Sequence, residues 1–397
     1  MMDPIQNPYT PNAGSRPQEL AGRGQELEQF RVLVGRLKRG ATEQSMIVRG
    51  LRGVGKTVLL NAFENLAESD GFFSYYHELT PESSLVGEIA RDAQSALSRL
   101  KLSARALAAV RDALSHLAAI KLVGPGGIEL AVDLRKADEG TIARDLSELF
   151  LQVGAAAQAN GGGVVFLLDE VQFVKEVEYR AMITALHRAT QKSMPITVAA
   201  AGLPQIPRLT GEARSYAERL FTFPVIASLP APDATAALVQ PALQQGVGYE
   251  AEAVEVALRW TGGYPFYIQQ LGKHAWNLAS GSSITRVDVD AAIPAAQAAL
   301  DASIYEVRVQ RATDHERRYL RAMAELGAGP YKAGEVAAKL GRRTPEISVL
   351  RQRLIDKGLV YATEDFGYVD FTVPRFGEFM SRYMPFRAPR TTATGKS

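Results

Sequence analysis

The chain contains no cysteine among its 397 residues. Disulfide bonds, thiolate zinc sites and a cysteine nucleophile are therefore excluded. A chain without cysteine suits a reducing compartment, and we expect a cytoplasmic protein. Histidine is also scarce, with five residues in the chain. They are scattered and lack the H-E-x-x-H spacing of a helical zinc site.

Long apolar runs are missing as well. The longest, at residues 164–168 and 196–203, have the length of a strand and fall short of the roughly 18–20 residues that a membrane span needs. The N-terminus has no basic region followed by an apolar one, so it does not predict a signal peptide. The formal net charge is only +2, so the chain as a whole is no polycation. We expect no membrane partner.

A glycine-rich turn stands where an apolar strand passes into a helix, in VRGLRGVGKTVLLNAF at residues 48–63. It fits the phosphate-binding pattern G-x-x-x-x-G-K-[ST]. Glycines let successive backbone N–H groups face one concavity, and the helix N-terminus adds its positive dipole. Lys56 would reach the β- and γ-phosphates, and Thr57 would offer its hydroxyl to Mg²⁺. A turn that only connects strand and helix is the alternative. The predicted nucleotide contacts are Gly50, Leu51, Arg52, Gly53, Val54, Gly55, Lys56, Thr57 and Val58.

Two carboxylates follow a second apolar strand, in VVFLLDE at residues 164–170. Burial of this strand in a parallel sheet would place both acids at its carboxyl end, where open α/β sheets bind ligands. We predict that Asp169 helps to hold Mg²⁺, directly or through water. Glu170 would orient and polarise the attacking water. A charged strand end that faces solvent is the alternative.

Strands and helices alternate over the first 228 residues. We predict strands at 46–48, 72–79, 164–168 and 195–202, and helices at 25–39, 56–68, 141–159 and 177–191. Residues 83–120 favour two helices, and 120–134 favour a hairpin. Alternating elements with fully apolar strands predict a parallel sheet covered by helices on both faces.

These motifs resemble those of the AAA+ and STAND ATPases, and more narrowly those of bacterial origin-recognition-like (archaeal-type) ATPases. The resemblance runs from about Pro17 to Tyr383. It implies ATP with Mg²⁺ as the ligands, and no guanine-reading N/T-K-x-D motif is evident. It also implies adenine contacts in RPQELAGRGQEL, which makes Leu20, Ala21, Gly22 and Arg23 candidates. An amphipathic helix with a polar lead-in is the alternative there.

Two further candidates come from the resemblance. In ARSYAERLFTF, Arg219 and, second, Arg214 match the position of an arginine finger, which would act on a neighbouring subunit and imply a homo-oligomer. In TGGYPFYIQQL, Tyr264 and Pro265 match a Gly-x-Pro element that packs near the base or phosphates. The alternatives are a surface arginine and a glycine cap before a proline-started helix.

Both sensor positions of the resembling ATPases depart from the family pattern. The strand 195–202 ends without the usual Asn, Thr or Ser, and Thr197 comes early while Gln205 is only a possible substitute. No second-sensor arginine stands near residue 264. These departures are compatible with slow hydrolysis or a switch that stays loaded.

The last part of the chain predicts three helices and a two-stranded wing, the order of a winged helix-turn-helix. From residue 314 onward there are fifteen Lys plus Arg and ten Asp plus Glu. Basic groups here could neutralise DNA phosphates, although such modules also dock on proteins. The predicted contacts with double-stranded DNA are Arg342, Arg343, Thr344, Ser348, Arg351 and Gln352.

We therefore predict an α/β fold with a P-loop NTPase sheet, followed by a helical lid and a winged helix. The predicted ranges are an extended arm 1–17, a nucleotide domain 18–228, a helical lid 229–312, a winged helix 313–384 and a disordered tail 385–397. The predicted function is a Mg²⁺-dependent ATPase that works as a switch on DNA or a protein partner. The alternatives are a nucleotide-dependent DNA-binding regulator or scaffold with negligible turnover, and a protein-recruiting signalling switch.

Overall fold

A computed structural model describes residues 2–12, 14, 15, 17, 19–99, 139–206 and 217–386. The chain divides into two compact units. The sheet unit comprises residues 23–50 and 56–226, and the helical unit comprises residues 1–22, 51–55 and 227–397. Several predicted features lie outside the described residues: the second helix within 83–120, the hairpin at 120–134, Arg214 and the tail beyond residue 386.

Five parallel strands form the centre of the sheet unit, in the order β2-β3-β4-β1-β5. Every residue of the third strand is buried, and successive residues point to opposite faces of the sheet. Both faces are therefore covered, which is the usual state of a parallel sheet. The strands are β1 (Ser45–Arg49), β2 (Phe73–Glu78), β3 (Val164–Asp169), β4 (Ile196–Gly202) and β5 (Phe221–Thr222).

Helices pack against the sheet through aromatic and aliphatic faces. The helices of the sheet unit are α1 (Gly24–Lys38), α2 (Lys56–Ser69), α3 (Leu85–Arg99), α4 (Glu139–Ala159) and α5 (Glu176–Gln191). Helix α2 packs on β2, β3 and β4, and its Phe63 stacks on Phe30 of α1 at 4.3 Å between ring centroids. Phe150 of α4 stacks on Phe166 of β3 at 5.4 Å. The predicted parallel sheet with flanking helices is confirmed.

The strand register brings the carboxyl ends of the strands to one edge of the sheet. Arg49 at the end of β1 is in register with Gly202 at the end of β4, and Glu78 at the end of β2 is in register with Asp169. The loop that leaves β1 and the acids that end β3 therefore leave the sheet on the same side.

The helical unit contains a group of helices between residues 231 and 310. Its elements are α6 (Ala231–Leu243), β6 (Gly248–Tyr249), α7 (Ala251–Thr261), α8 (Pro265–Leu278), β7 (Ser283–Ile284), α9 (Arg286–Leu300), a π-helical turn (Asp301–Glu306) and α10 (Val307–Gln310). The N-terminal arm packs here, because Tyr9 is buried and the Trp276 indole N–H donates to the Asp3 carbonyl at 3.0 Å. Helix α9 ends at Leu300, and the π-helical turn continues directly from it.

A second part of the helical unit, residues 313–386, forms the C-terminal segment. Its elements are α11 (Asp314–Ala324), β8 (Tyr331–Lys332), α12 (Ala333–Lys339), α13 (Thr344–Asp356), β9 (Val360–Ala362), β10 (Tyr368–Phe371) and α14 (Phe376–Tyr383). The three strands form an antiparallel sheet in the order β8-β10-β9. Across the described parts of the chain, no helix is long and apolar enough to cross a membrane.

Candidate nucleotide-binding site

The glycine-rich turn occupies residues 50–55, between the end of β1 and the start of α2 at Lys56. Gly53 and Gly55 have φ angles of +84° and +95°, which side-chain-bearing residues adopt only with strain. The spacing of these glycines thus reflects a backbone requirement. A loop of this shape before a helix N-terminus is suited to binding phosphate.

The Lys56 ammonium lies across the loop that precedes it. Its Nζ donates to the carbonyl oxygen of Gly50 at 2.9 Å, and the side chain is buried. A buried ammonium needs an acceptor, and the loop itself supplies one. Phosphate oxygens are stronger, charged acceptors of the same bond, so the geometry fits a polyphosphate.

Thr57 and Asp169 meet although they come from different elements. The Thr57 hydroxyl donates to Asp169 Oδ2 at 2.5 Å. The Tyr76 hydroxyl donates to the same oxygen at 3.3 Å, and the Glu170 backbone N–H donates to Oδ1 at 2.8 Å. A hydroxyl and a carboxylate held together beside the phosphate-loop lysine are the oxygen ligands that Mg²⁺ prefers.

Burial controls the electrostatics of this pair. Asp169 is only 3% exposed, and burial raises the pKa of its carboxyl, with the charge of Glu170 adding to the effect and the Thr57 hydrogen bond opposing it. Burial also raises the pKa of the Tyr76 hydroxyl, and the charge of Asp169 raises it further. Tyr76 is therefore a neutral donor, and a cation at Asp169 would relieve the cost of its buried charge.

Glu170 has an unusual backbone conformation for a residue with a side chain. Its φ angle is +56°, and it precedes a short 3₁₀ turn, Val171–Phe173. Gln172 Nε2 donates to the Glu170 carboxylate, while Gln172 Oε1 accepts from the Leu203 N–H at 3.2 Å. Gln172 thus fixes the second acid against the end of β4. Such a strained conformation is often found at functional sites.

Comparison with known proteins agrees with this geometry. Residues 19–199 match the family model described as an AAA ATPase domain. Residues 302–380 match a second model, described as a domain of unknown function (DUF8462). No curated protein sequence matches the chain.

Several solved structures are similar to the chain at low sequence identity. The Walker-type ATPase PABY2304 of Pyrococcus abyssi is 15% identical with a TM-score of 0.53, and the alignment covers 92% of this chain and 97% of that one. Cdc6p of Pyrobaculum aerophilum is 14% identical with a TM-score of 0.47, covering 94% and 96%. Orc1 of Aeropyrum pernix, solved in complex with DNA, is 16% identical with a TM-score of 0.44, covering 92% and 94%. The first of these supports a P-loop ATPase fold.

Arg219 lies near the amino end of β1, whereas α2 starts beyond the carboxyl end of that strand. It is exposed on a short 3₁₀ turn, and its carbonyl accepts from Gln44 Nε2 at 3.1 Å. Phe221, which follows it, is in register with Ser45 at the amino end of β1, whereas Lys56 follows the carboxyl end. Its role as an arginine finger stays a prediction.

The candidate adenine neighbours lie at the entrance to the first helix. Arg23 is buried and precedes α1, and its carbonyl accepts from the Leu27 N–H at 3.1 Å. Gly22 has a φ angle of +66°, and a Cβ there would lie 2.9 Å from both Asp233 Oδ2 and Leu229 Cδ2. Gly22 therefore packs closely on the start of α6. Leu20 and Ala21 are partly buried, and their adenine contact stays a prediction.

Tyr264 and Pro265 open helix α8 and contact the tip of the phosphate loop. The buried Tyr264 hydroxyl donates to the Arg52 carbonyl, and a Cβ at Gly53 would lie 3.3 Å from Tyr264 Cε1. Pro265 occupies the first turn of α8. The sequence predicted that Tyr264 packs near the base or phosphates of a nucleotide, and that contact stays a prediction. In the structure the Tyr264 hydroxyl is bonded to the backbone of the phosphate loop.

The two possible first-sensor residues differ in position. Thr197 is buried near the amino end of β4, where its hydroxyl bonds with that of Ser45 at 2.9 Å. That end of the sheet is opposite to the phosphate loop, so Thr197 is not part of the site. Gln205 follows the carboxyl end of β4 and is partly buried. Sequence reasoning missed Tyr76 and Gln172, since neither belongs to the phosphate-loop or strand–carboxylate pattern.

The candidate DNA contacts lie on or just before α13. Several of them are engaged in local bonds: Arg343 Nε donates to Glu346 Oε1 at 2.7 Å, and Gln352 Nε2 donates to Asp356 Oδ1 at 2.8 Å. Arg342 is exposed, and Arg351 is partly buried. The remaining two, Thr344 and Ser348, are exposed on the same helix. Their contact with DNA stays a prediction.

Proposed function

We propose that the chain binds ATP with Mg²⁺ at residues 50–58 and hydrolyses it. The observation that supports this most is the 2.5 Å bond from Thr57 to Asp169 next to the buried Lys56. Thr57 and Asp169 would hold the metal ion, which when bound would draw negative charge from the phosphates. The AAA ATPase domain model over residues 19–199 supports the same nucleotide.

The other side chains of the site have separate roles in this proposal. Lys56 would exchange the Gly50 carbonyl for phosphate oxygens, and the loop amides would stabilise charge that develops on the transferred group. Glu170 would orient and polarise the attacking water. Gln172 holds the Glu170 carboxylate and the Leu203 amide together, so it would keep the acid oriented without touching the reacting atoms.

Phosphate release by the wild type and by Glu170→Gln tests hydrolysis. The enzyme proposal expects steady release from the wild type, little from Glu170→Gln, and ATP binding by both. A matched control is Glu176→Gln, since Glu176 is an exposed acid at the start of α5. Tight ATP binding with little phosphate from the wild type as well would favour the scaffold function instead.

We propose further that the bound nucleotide controls the helical unit through the loop tip. Arg52 makes two backbone contacts there: its carbonyl accepts from Tyr264, which caps the start of α8, and its N–H donates to the Thr372 carbonyl at 3.0 Å. The chain just beyond Thr372 is bonded to the helices too, because the Tyr267 and Tyr305 hydroxyls both donate to the Pro374 carbonyl. A phosphate that shifts the loop would change these contacts, which is the requirement for a switch.

The element order of the C-terminal segment supports its proposed role as a winged helix that docks on double-stranded DNA. The basic excess beyond residue 314 favours binding to phosphates. Filter binding of the full chain to duplex DNA, at increasing salt and with ATP, tests this. DNA docking predicts salt-sensitive binding that Arg351→Ala weakens. Docking on a protein partner predicts no salt-sensitive DNA binding and no effect of that substitution.

A second subunit enters the proposal through Arg219. Because Arg219 lies beside the amino end of β1, it would act on the γ-phosphate of a neighbour. Arg219→Ala should then lower phosphate release, and addition of the hydrolysis-deficient Glu170→Gln chain should restore part of it. Unchanged release from Arg219→Ala would remove the finger from the mechanism.

A further inference from the structure

A groove of about 1110 Å³ lies on the C-terminal segment, away from the phosphate loop in sequence and in lining residues. Its walls are α11, α13 and the chain that follows α14. Two apolar side chains that line the groove are exposed to solvent: Val349 is 62% exposed and Tyr383 is 42% exposed. Large apolar groups left open in a concave surface mark an interaction site.

Arginines surround this apolar floor. Arg318, Arg342 and Arg353 line the groove, and among the described residues their side chains make no hydrogen bond or salt bridge. The acids of the groove are already engaged: Asp314 is 3.4 Å from Arg317, and Glu346 is 2.7 Å from Arg343. The groove therefore carries unbalanced positive charge above an apolar floor. It fits an occupant that combines acidic groups with an apolar anchor.

The chain presents such an occupant in its own hairpin. The turn between β9 and β10 contains Glu364, Asp365 and Phe366, all exposed, and Phe366 is 96% exposed. The turn is ordered by its own bonds, because the Thr363 N–H donates to the Tyr368 carbonyl at 3.2 Å and the Tyr368 N–H donates to the Asp365 carbonyl at 3.2 Å. An ordered turn loses little conformational freedom on binding.

We propose that this acidic hairpin turn of one chain binds the arginine groove of a second copy. Phe366 would cover Val349 and Tyr383, and the neighbouring acids would pair with the groove arginines. No residue of the turn lines the groove of its own chain within the described residues. Each chain thus carries one donor turn and one acceptor groove, which makes the contact heterologous, so that it continues from copy to copy or closes as a ring.

DNA is a weaker fit for the groove than the hairpin turn. Phosphates would pair with the arginines, but they offer nothing to the exposed Val349 and Tyr383. The turn also carries two acids where a wing that enters DNA would carry cations. The same charge pattern that disfavours DNA at the turn favours a basic partner surface, and the groove supplies one.

Sedimentation velocity of the full chain between about 1 and 100 µM tests the proposal. We expect the average mass to rise with concentration at low salt, and to fall at 0.5 M salt because charge pairs at an exposed rim are screened. Phe366→Ser and Arg353→Glu should each weaken the association by about tenfold or more. A chain that stays monomeric at all these concentrations would overturn the proposal.

Two matched control variants distinguish this contact from non-specific association. Val287→Ser removes an apolar side chain that is 75% exposed on α9, and Arg311→Glu reverses an exposed charge that does not line the groove. Both should associate like the wild type, and equal losses in these controls would contradict the proposal.

Mixing the two defective chains gives the sharpest result. The turn of Arg353→Glu is intact, and the groove of Phe366→Ser is intact, so their mixture should form a dimer and nothing larger. No dimer in the mixture would refute the pairing of turn and groove. If Arg353→Glu abolished binding to duplex DNA but self-associated like the wild type, the groove would be a nucleic-acid site and the proposal would fail.

Discussion

Replacing Asp169 by Asn should raise the stability of the nucleotide-free protein and at the same time remove its response to Mg²⁺–ATP. The carboxyl is 3% exposed, and its pKa is raised by burial and by the neighbouring Glu170. The ionised form therefore carries a cost in the folded state. Asn has nearly the same shape, and its amide can still bond with the hydroxyls of Thr57 and Tyr76. Stabilising substitutions commonly gain about 0.5–2 kcal/mol, and we expect a gain of this size.

The assay is thermal unfolding with and without Mg²⁺–ATP. For a domain of about 150–250 residues, a change of about 1 kcal/mol in the free energy of unfolding shifts Tm by about 2–4 °C. Wild-type protein with ligand at about 100 times its Kd should gain about 2.7 kcal/mol. Asp169→Asn should unfold at a higher temperature than the wild type without ligand and show little further shift with it. The control is Asp92→Asn, since Asp92 is also buried with a raised pKa but bonds to His77, and it should keep the full ligand shift.

The pH dependence of this comparison has a definite sign. Because the folded pKa of Asp169 lies above its ordinary value of 3.8, the folded protein binds more protons than the unfolded chain between those two values. The contribution of Asp169 to stability therefore falls as pH rises through that window. The advantage of Asn should be greatest at neutral pH and should vanish below about pH 3.8. A variant that is less stable than the wild type at neutral pH, or that keeps the ligand shift, would refute the reasoning.

Two further substitutions test the coupling of the loop and the stability of the C-terminal segment. Tyr264→Phe removes the bond to the Arg52 carbonyl, so the free energy of unfolding of the unliganded protein should fall by about 0.5–1.5 kcal/mol. ATP should also change hydrogen exchange in the C-terminal segment less than in the wild type. An undiminished change would show that the coupling does not depend on this bond. Glu316 accepts from Lys357 at 2.6 Å and from the Thr313 N–H at 2.7 Å; burial alone would raise its pKa, but these partners lower it. Glu316→Gln should therefore cost about 1–2 kcal/mol at neutral pH in denaturant unfolding, and the loss should shrink as pH falls through the folded pKa, whereas a pH-independent loss would point to packing instead.

The sequence predicted the sheet and its phosphate loop because both depend on local patterns. The run at 164–168 is apolar at every position, short, and preceded by three glycines, a pattern that favours a strand buried on both faces. Gly53 and Gly55 stand at positions with positive φ angles, and that requirement is written directly in the residue type. The placement of Asp169 followed from topology, since parallel strands end at one edge.

Features that depend on distant partners could not be predicted in the same way. The two-residue strands β5 to β8 have no period, and only their pairing with remote segments defines them. Tyr76 joins the site because β2 is aligned with β3, which no single segment reveals. Gln172 reaches the Glu170 carboxylate, and Glu170 has a positive φ angle. A glutamate in the sequence gives no sign of that backbone conformation. The bond from Tyr264 to Arg52 links residues 212 positions apart.

The measurement that tests the account most directly is ATP binding by the purified full chain, with and without Mg²⁺, for the wild type and Lys56→Ala. Lys56 lies buried against Gly50 in the loop, and loss of a charge-assisted bond of about 1.5–3 kcal/mol should weaken binding roughly tenfold to a hundredfold. Lys192→Ala, at an exposed position after α5, should bind like the wild type. Failure of the wild type to retain Mg²⁺–ATP at millimolar concentration, or equal retention by Lys56→Ala, would contradict the proposed site.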